Sequence, residues 1–218
     1  MTTAMILAAG RGERLKPITY STPKAMCRIK GIPLIETHVT NLVKAGITRI
    51  IINHAYLGDQ IRRHLRDGRQ LGAEIIYSPE PPGGLETGGG IFHALPLLGK
   101  EPFITVNADI VTDFNFEQLQ LPADSLAHLV LAVPPQAKQS GDFGLEQGKV
   151  VNTPRQYIFS GITCYHPEAF ANCERGRYSV ITLLRQLADS GRLTGSLMSD
   201  YWIDIGSVQR LTLAQQQR

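Results

Sequence analysis

The chain has 218 residues, 43% of them hydrophobic and 19% charged, with a formal net charge of +3. That is enough chain for one substantial core and too apolar for a disordered segment; with no linker-like stretch to divide it, we expect a single domain over residues 1–218. The basic residues are scattered, as in Arg62, Arg63 and Arg66 on one helical pattern, and no basic tract with interleaved aromatics suggests a nucleic-acid partner. Cys27, Cys164 and Cys173 form no C-x-x-C pair and read as reduced structural thiols. Met1 to Gly10 lacks a basic leader and no apolar run reaches roughly 18 residues, so we expect a cytoplasmic protein with no membrane partner.

In chain order, Ala4 to Ala9 is a short apolar run closed by Gly10, which suits a strand buried on both faces. Pro33 opens a helical pattern through Leu34, Ile35, Val39, Leu42 and Val43, and Gly46 stands where a C-terminal glycine ends a helix. Ile50 to Ile52 is a second strand; Leu57, Ile61 and Leu65 space a second helix ending near Gly68; Ala73 to Ser78 is a third strand. After a loop rich in proline and glycine, Gly90 to Leu98 reads as a short helix, with strands at Pro102 to Asn107 and His128 to Val133. This alternation predicts a three-layer α/β/α sandwich on a Rossmann-like, mostly parallel sheet. Beyond Pro134 the pattern predicts mixed pairing: a hairpin over Gly141 to Val151 turning at Gln147-Gly148, and a long strand from Tyr157 to Tyr165. Ser179 can cap a helix carrying Val180, Leu183, Leu184 and Leu187, and Trp202 to Ile205 is a final strand before a helix from Ser207.

The loop after the first strand carries the chemistry. Gly10 and Gly12 leave backbone N–H groups open to a ligand, and Arg11, Arg14, Lys16 and Lys24 supply positive charge, a combination suited to a triphosphate. It is not a dinucleotide fingerprint, because Leu15 stands where a third glycine is needed and Pro17 obstructs a following helix. It is not a P-loop either, for no glycine precedes Lys and then Ser or Thr at the required spacing. Elsewhere, Asp109 and Asp204 each end a predicted strand, and two strand-end carboxylates can share one magnesium ion with substrate phosphates and water. A turn or capping residue is the competing reading of either aspartate alone.

The eighteen residues from Leu7 to Lys24 resemble the signature of the sugar-nucleotide pyrophosphorylases, nucleotidyltransferases that make NDP-sugars. The resemblance implies the nucleotide-diphospho-sugar transferase fold, with the backbone at Ala9, Gly10, Arg11 and Gly12 against the nucleotide and with Arg14 and Lys24 as catalytic cations on the phosphates. It implies Mg2+ on Asp109, in Asn107-Ala108-Asp109 where the family usually has glycine before the acid, and on Asp204, in Trp202-Ile203-Asp204-Ile205-Gly206. In the loop from Ser78 to Gly90 it implies base recognition by Glu80, Thr87 and Gly88, against the competing reading of a bare surface loop. Sugar contacts carry over to Asn107, Asp142 and Gly144. The family's Glu-Lys-Pro motif is replaced here by Asn152-Thr153-Pro154-Arg155, which leaves its lysine contact without an obvious substitute.

The forms Leu85-Glu86-Thr87-Gly88-Gly89-Gly90-Ile91 and Ile51 to Gly58 resemble the bacterial N-acetylmuramate 1-phosphate uridylyltransferases of cell-wall recycling. The implied substrates are a nucleoside triphosphate, UTP, and a sugar 1-phosphate, with a monomer or weak homodimer expected and no acetyltransferase helix or oligomerising domain after Asp204. The alternatives are a mannose 1-phosphate guanylyltransferase and a non-catalytic nucleotide-sugar-binding regulatory protein. His54 and His166 read as structural histidines.

Overall fold

The computed structural model describes residues 2–134 and 140–217. Strand β1 (Thr3–Leu7) leads into a loop of short 3-10 turns, then the paired strands β2 (Arg28–Ile29) and β3 (Ile32–Pro33). Helix α1 (Leu34–Lys44), β4 (Arg49–His54), α2 (Gly58–Leu65), β5 (Glu74–Pro79), α3 (Glu86–Leu98) and β6 (Phe103–Asn107) follow. Next come β7 (Ile110–Thr112), β8 (Ala127–Ala132), β9 (Gly144–Glu146), β10 (Lys149–Val151) and β11 (Ile158–Tyr165). The chain continues through α4 (Val180–Asp189), β12 (Leu193–Leu197), β13 (Trp202–Asp204) and α5 (Val208–Gln217). No helix among the described residues is long and apolar enough to cross a membrane.

Nine strands form the central sheet in the order β5-β4-β1-β6-β11-β8-β12-β10-β9. Only β11 and β10 run against the rest, so the sheet is mixed but mostly parallel, as the sequence predicts. The continuous apolar strands are explained by alternation across a sheet covered twice. Ala4, Ile6, Ile50 and Ile52 face α1 and α2, whereas Met5 and Ile51 face α3 and α4. Each fully buried aliphatic side chain of this kind contributes about 1.5–3 kcal/mol. The hairpin turns as expected, with Gln147 and Gly148 at φ 48 and 79, the left-handed pair that a two-residue turn requires.

Several elements differ from expectation. Helix α3 begins at Glu86, so Gly88, Gly89 and Gly90 are helical in spite of glycine's cost of about 1 kcal/mol per residue. Tertiary packing overrides propensity there: a Cβ at Gly88 would stand 2.5 Å from the Tyr178 ring, and one at Gly89 would stand 2.1 Å from the Gly176 carbonyl. The sequence pattern also did not reveal β2, β3, β12 or β7. The last of these matters most to the site. It pairs antiparallel with β13 in a separate two-stranded ribbon, Ile110 opposite Asp204. A third apolar cluster, with Leu15, Cys27, Val111, Ile205 and Leu211, fastens this ribbon to the glycine loop and to α5.

His38 of α1 is buried, and its Nε2 donates to the Ile110 carbonyl at 2.9 Å, tying the helix to β7. Burial pushes its pKa down from 6.5 to about 4, against the opposing effects of that hydrogen bond and of Asp109. The folded ring therefore stays neutral while the unfolded ring takes a proton, and stability is lost as pH falls through this window. Urea unfolding should show this residue removing about 2 kcal/mol between pH 7 and pH 5. In His38→Gln, which keeps a donor but does not titrate, the pH slope should shrink by about that amount; an unchanged slope would refute the assignment.

Candidate active site

Parallel strands β4, β1 and β6 end on one rim, with Asn53, Leu7 and Asn107 in register across them. Ligands of open α/β sheets bind outside such strand ends. Here a cavity of 370 Å³ is lined by Ala9, Gly10, Arg11 and Gly12 on one side and by Glu80, Gly84 and Thr87 on the other. Its two loop glycines serve different ends. A Cβ at Gly10 would meet nothing within 4 Å, so that backbone faces open space. Gly12 has φ +66 and a Cβ there would lie 2.8 Å from Thr19 Cγ2, while Thr19 Oγ1 donates to the Gly12 carbonyl at 2.8 Å, so Gly12 shapes the loop.

The opposite wall is organised by Asn53, which the sequence reading did not include. Its Oδ1 accepts from Ala8 N at 2.7 Å and its Nδ2 donates to Glu80 Oε1 at 2.6 Å. Glu80 Oε2 then accepts from Leu85 N at 2.7 Å. Glu80 thus pins the loop as well as lining the cavity. Thr87 lines it from the first turn of α3, but Gly88 does not. Gly88 turns toward Tyr178, whose carbonyl accepts from Gly88 N at 3.0 Å. Gly88, expected to face the nucleotide, packs against Tyr178 and lines neither this cavity nor the one that adjoins it.

A second cavity of 480 Å³ adjoins the first, sharing Asn107 and Asp109 with it. Asp142, Ser160, Trp202, Asp204 and Arg210 line it. A bulge in β11 at Ser160-Gly161 shapes its floor: Trp202 Nε1 donates to the Ser160 carbonyl at 2.9 Å, and Phe159 N donates to Asp142 Oδ2 at 3.0 Å. Gly161 has φ +85, and a Cβ there would stand 2.5 Å from Asn107 Nδ2, so only glycine leaves that side chain its place. Gly144, by contrast, opens β9 with its Cα against the Pro154 carbonyl and lines neither cavity. The sugar role expected of it is not supported by its position.

Asp109 and Asp204 come together because β7 and β13 pair, with Ile205 N donating to the Asp109 carbonyl at 2.7 Å. Lys24 Nζ pairs with Asp109 Oδ2, and its side chain is only 13% exposed against 57% for Arg11. Arg11 instead pairs with Glu13 at 3.4 Å and lies 5.3 Å over the Tyr56 ring, at the mouth of the first cavity. Arg14, expected to act on the phosphates, lines the second cavity and not the first. A Cβ at Gly206 would meet Asp204 Oδ2 at 2.7 Å and Arg14 Nη2 at 3.2 Å, so that glycine makes room for both.

Arg210 pairs with Asp204 Oδ1 and was missed in the sequence. Its backbone N donates to Ser207 Oγ at 3.3 Å in the first turn of α5, where the helix dipole disfavours a cation, and that mismatch was the available signal. Arg155, from the segment that stands in place of the Glu-Lys-Pro motif, lines neither cavity. His54 packs against Gly58 and sits edge-on to Tyr77 at 5.8 Å, with burial holding its pKa down, and His166 Nδ1 accepts from Glu168 N at 3.3 Å. Both are structural, as expected.

Comparison with known proteins matches this geometry to a family. The nucleotidyl transferase family model covers residues 3–218. The N-acetylmuramate alpha-1-phosphate uridylyltransferase of Neisseria meningitidis serogroup B is 46% identical, over 97% of this chain and 96% of that one. The protein of the same name from Caulobacter vibrioides is 31% identical, over 97% and 95%. A solved structure of a putative glucose-1-phosphate thymidylyltransferase from Bacillus anthracis superposes with a TM-score of 0.88 at 21% identity, covering 100% of this chain and 95% of that one, and so shares its fold. The chain belongs to the nucleotidyl transferase family.

Proposed function

We propose that this protein joins UTP to N-acetylmuramate 1-phosphate, releasing pyrophosphate and forming the UDP-sugar. The observation that carries this reading is the junction of the two cavities at Asn107 and Asp109, one walled by the glycine loop and the other by Asp204, Asp142 and Trp202. A triphosphate in the first and a sugar phosphate in the second would meet beside the paired aspartates. The relatives named for uridylyl transfer to N-acetylmuramate 1-phosphate support the choice of substrates.

In the reaction, a phosphate oxygen of the sugar 1-phosphate attacks the α-phosphorus in line. The bond from that phosphorus to the β-phosphate's bridging oxygen breaks, and pyrophosphate leaves with the electron pair. A phosphate monoester, with a second pKa of about 6, is largely dianionic at neutral pH, so no side chain has to remove a proton. What the protein must do is hold two anions at bonding distance and offset their repulsion. The open backbone at Gly10 lets the nucleotide approach, while Lys24 on one side and Arg14 on the other provide positive charge.

The donor chemistry suits a hard divalent cation: two carboxylates, one in the turn before β7 and one closing β13, open into one cavity. Among the described residues no three His, Cys, Asp or Glu stand close enough together to hold a metal ion by themselves, so substrate phosphates and water would complete the shell, as magnesium prefers. Asp109 and Asp204 would hold the ion, and when bound it supplies charge neutralisation at the reacting phosphates.

Pyrophosphate release should be fastest with UTP and N-acetylmuramate 1-phosphate in a panel of triphosphates and sugar 1-phosphates; preference for GTP with mannose 1-phosphate would overturn the reading. Asp109→Asn should keep the fold by circular dichroism yet lose at least about 100-fold in kcat. Gly10→Val, filling open space at the cavity wall, should raise KM for UTP by about tenfold with little change in Tm. Gly12→Val, strained at positive φ against Thr19, should instead lower Tm.

A further inference from the structure

Both aspartates proposed to hold the metal are already met by cations of the chain itself. Lys24 Nζ lies on Oδ2 of Asp109, and Arg210 Nη1 lies on Oδ1 of Asp204. The two cations belong to opposite sides of the site: Lys24 lines the cavity of the glycine loop, and Arg210 lines the cavity of Trp202 and Asp142. Each has a reason to be where it is. The ribbon of β7 and β13 fixes the backbones of the two acids side by side, and two carboxylates so placed repel unless positive charge stands between or beside them. A divalent ion needs oxygens of these same carboxylates, and an oxygen held by an ammonium or guanidinium donates less well to a metal.

We infer that Lys24 and Arg210 are exchangeable counter-ions. They neutralise Asp109 and Asp204 while the enzyme is metal-free and are released, one toward each cavity, when the carboxylates take up a divalent cation. This rests on the reading of Asp109 and Asp204 as the metal pair. The released charges then face the two places where phosphates are proposed to bind, so metal and anionic substrates strengthen each other's binding by linkage. Arg210 gains a role that its place near a helix N-terminus would otherwise make unfavourable.

The test uses Mn2+ as the probe, without substrates, on the full chain. Electron paramagnetic resonance titration should show Mn2+ binding about three- to fivefold tighter in Arg210→Met and in Lys24→Met than in wild type, the size expected for a partly exposed ion pair. In EDTA both variants should melt below wild type, since each leaves a carboxylate unpaired, and saturating Mn2+ should close that gap. Equal or weaker Mn2+ affinity in both variants, or a melting gap that persists with Mn2+, would overturn the counter-ion role and point to simple structural pairing. Absence of any Mn2+ binding in the wild type, or binding that survives in Asp204→Asn, would instead defeat the metal reading itself.

Discussion

The site depends on one backbone hydrogen bond and the short ribbon around it. Ile205 N donates to the Asp109 carbonyl where β13 lies against β7, bringing an acid from the middle of the chain beside one from near its end. Neither strand belongs to the central sheet. The ribbon is held from below by Leu15, Val111, Ile205 and Leu211, so the same apolar cluster seats the glycine loop, both acids and the last helix. Packing of about 1.5–3 kcal/mol per buried aliphatic chain thus fixes polar groups that would separate if left to their own repulsion.

Around that ribbon the fold divides the work between two adjoining cavities. The cavity proposed for the nucleotide is built by parallel strand ends and kept in shape by the chain Ala8–Asn53–Glu80–Leu85 of hydrogen bonds. The cavity proposed for the sugar is built by the antiparallel β11 and its bulge, which turns the Ser160 carbonyl to Trp202 and leaves room for Asn107 over Gly161. The change from parallel to antiparallel pairing at β6 and β11 therefore coincides with the junction of the two cavities.

Charge is arranged with the same economy. Three carboxylates and two guanidinium groups line the second cavity, and the cations stand on or beside the acids proposed to take the metal. Histidine takes no part in lining either cavity. The buried rings of His38 and His54 have pKa values held down by burial and act in packing, which fits a phosphoryl chemistry that needs positioning and neutralisation more than proton transfer.

Local pattern was sufficient to determine the layer architecture, the order of the sheet strands β1, β4, β5 and β6 with the helices between them, the Gln147-Gly148 turn and the basic, glycine-rich character of the loop from Gly10 to Lys24. Those features are written in side-chain periodicity and in residues whose conformational needs are local. Only the tertiary structure placed Gly88 and Gly144 in packing contacts outside the two cavities, set Arg14 in the same cavity wall as Asp204, and brought Asn53 and Arg210 beside the candidate site. It also decided that three glycines in succession form a helix, because the segment around Gly176 and Tyr178 presses on them. The physical reason is the same in each case. Sequence spacing carries which face a residue presents, but a contact between segments far apart in the chain exists only once the sheet and its ribbon have closed.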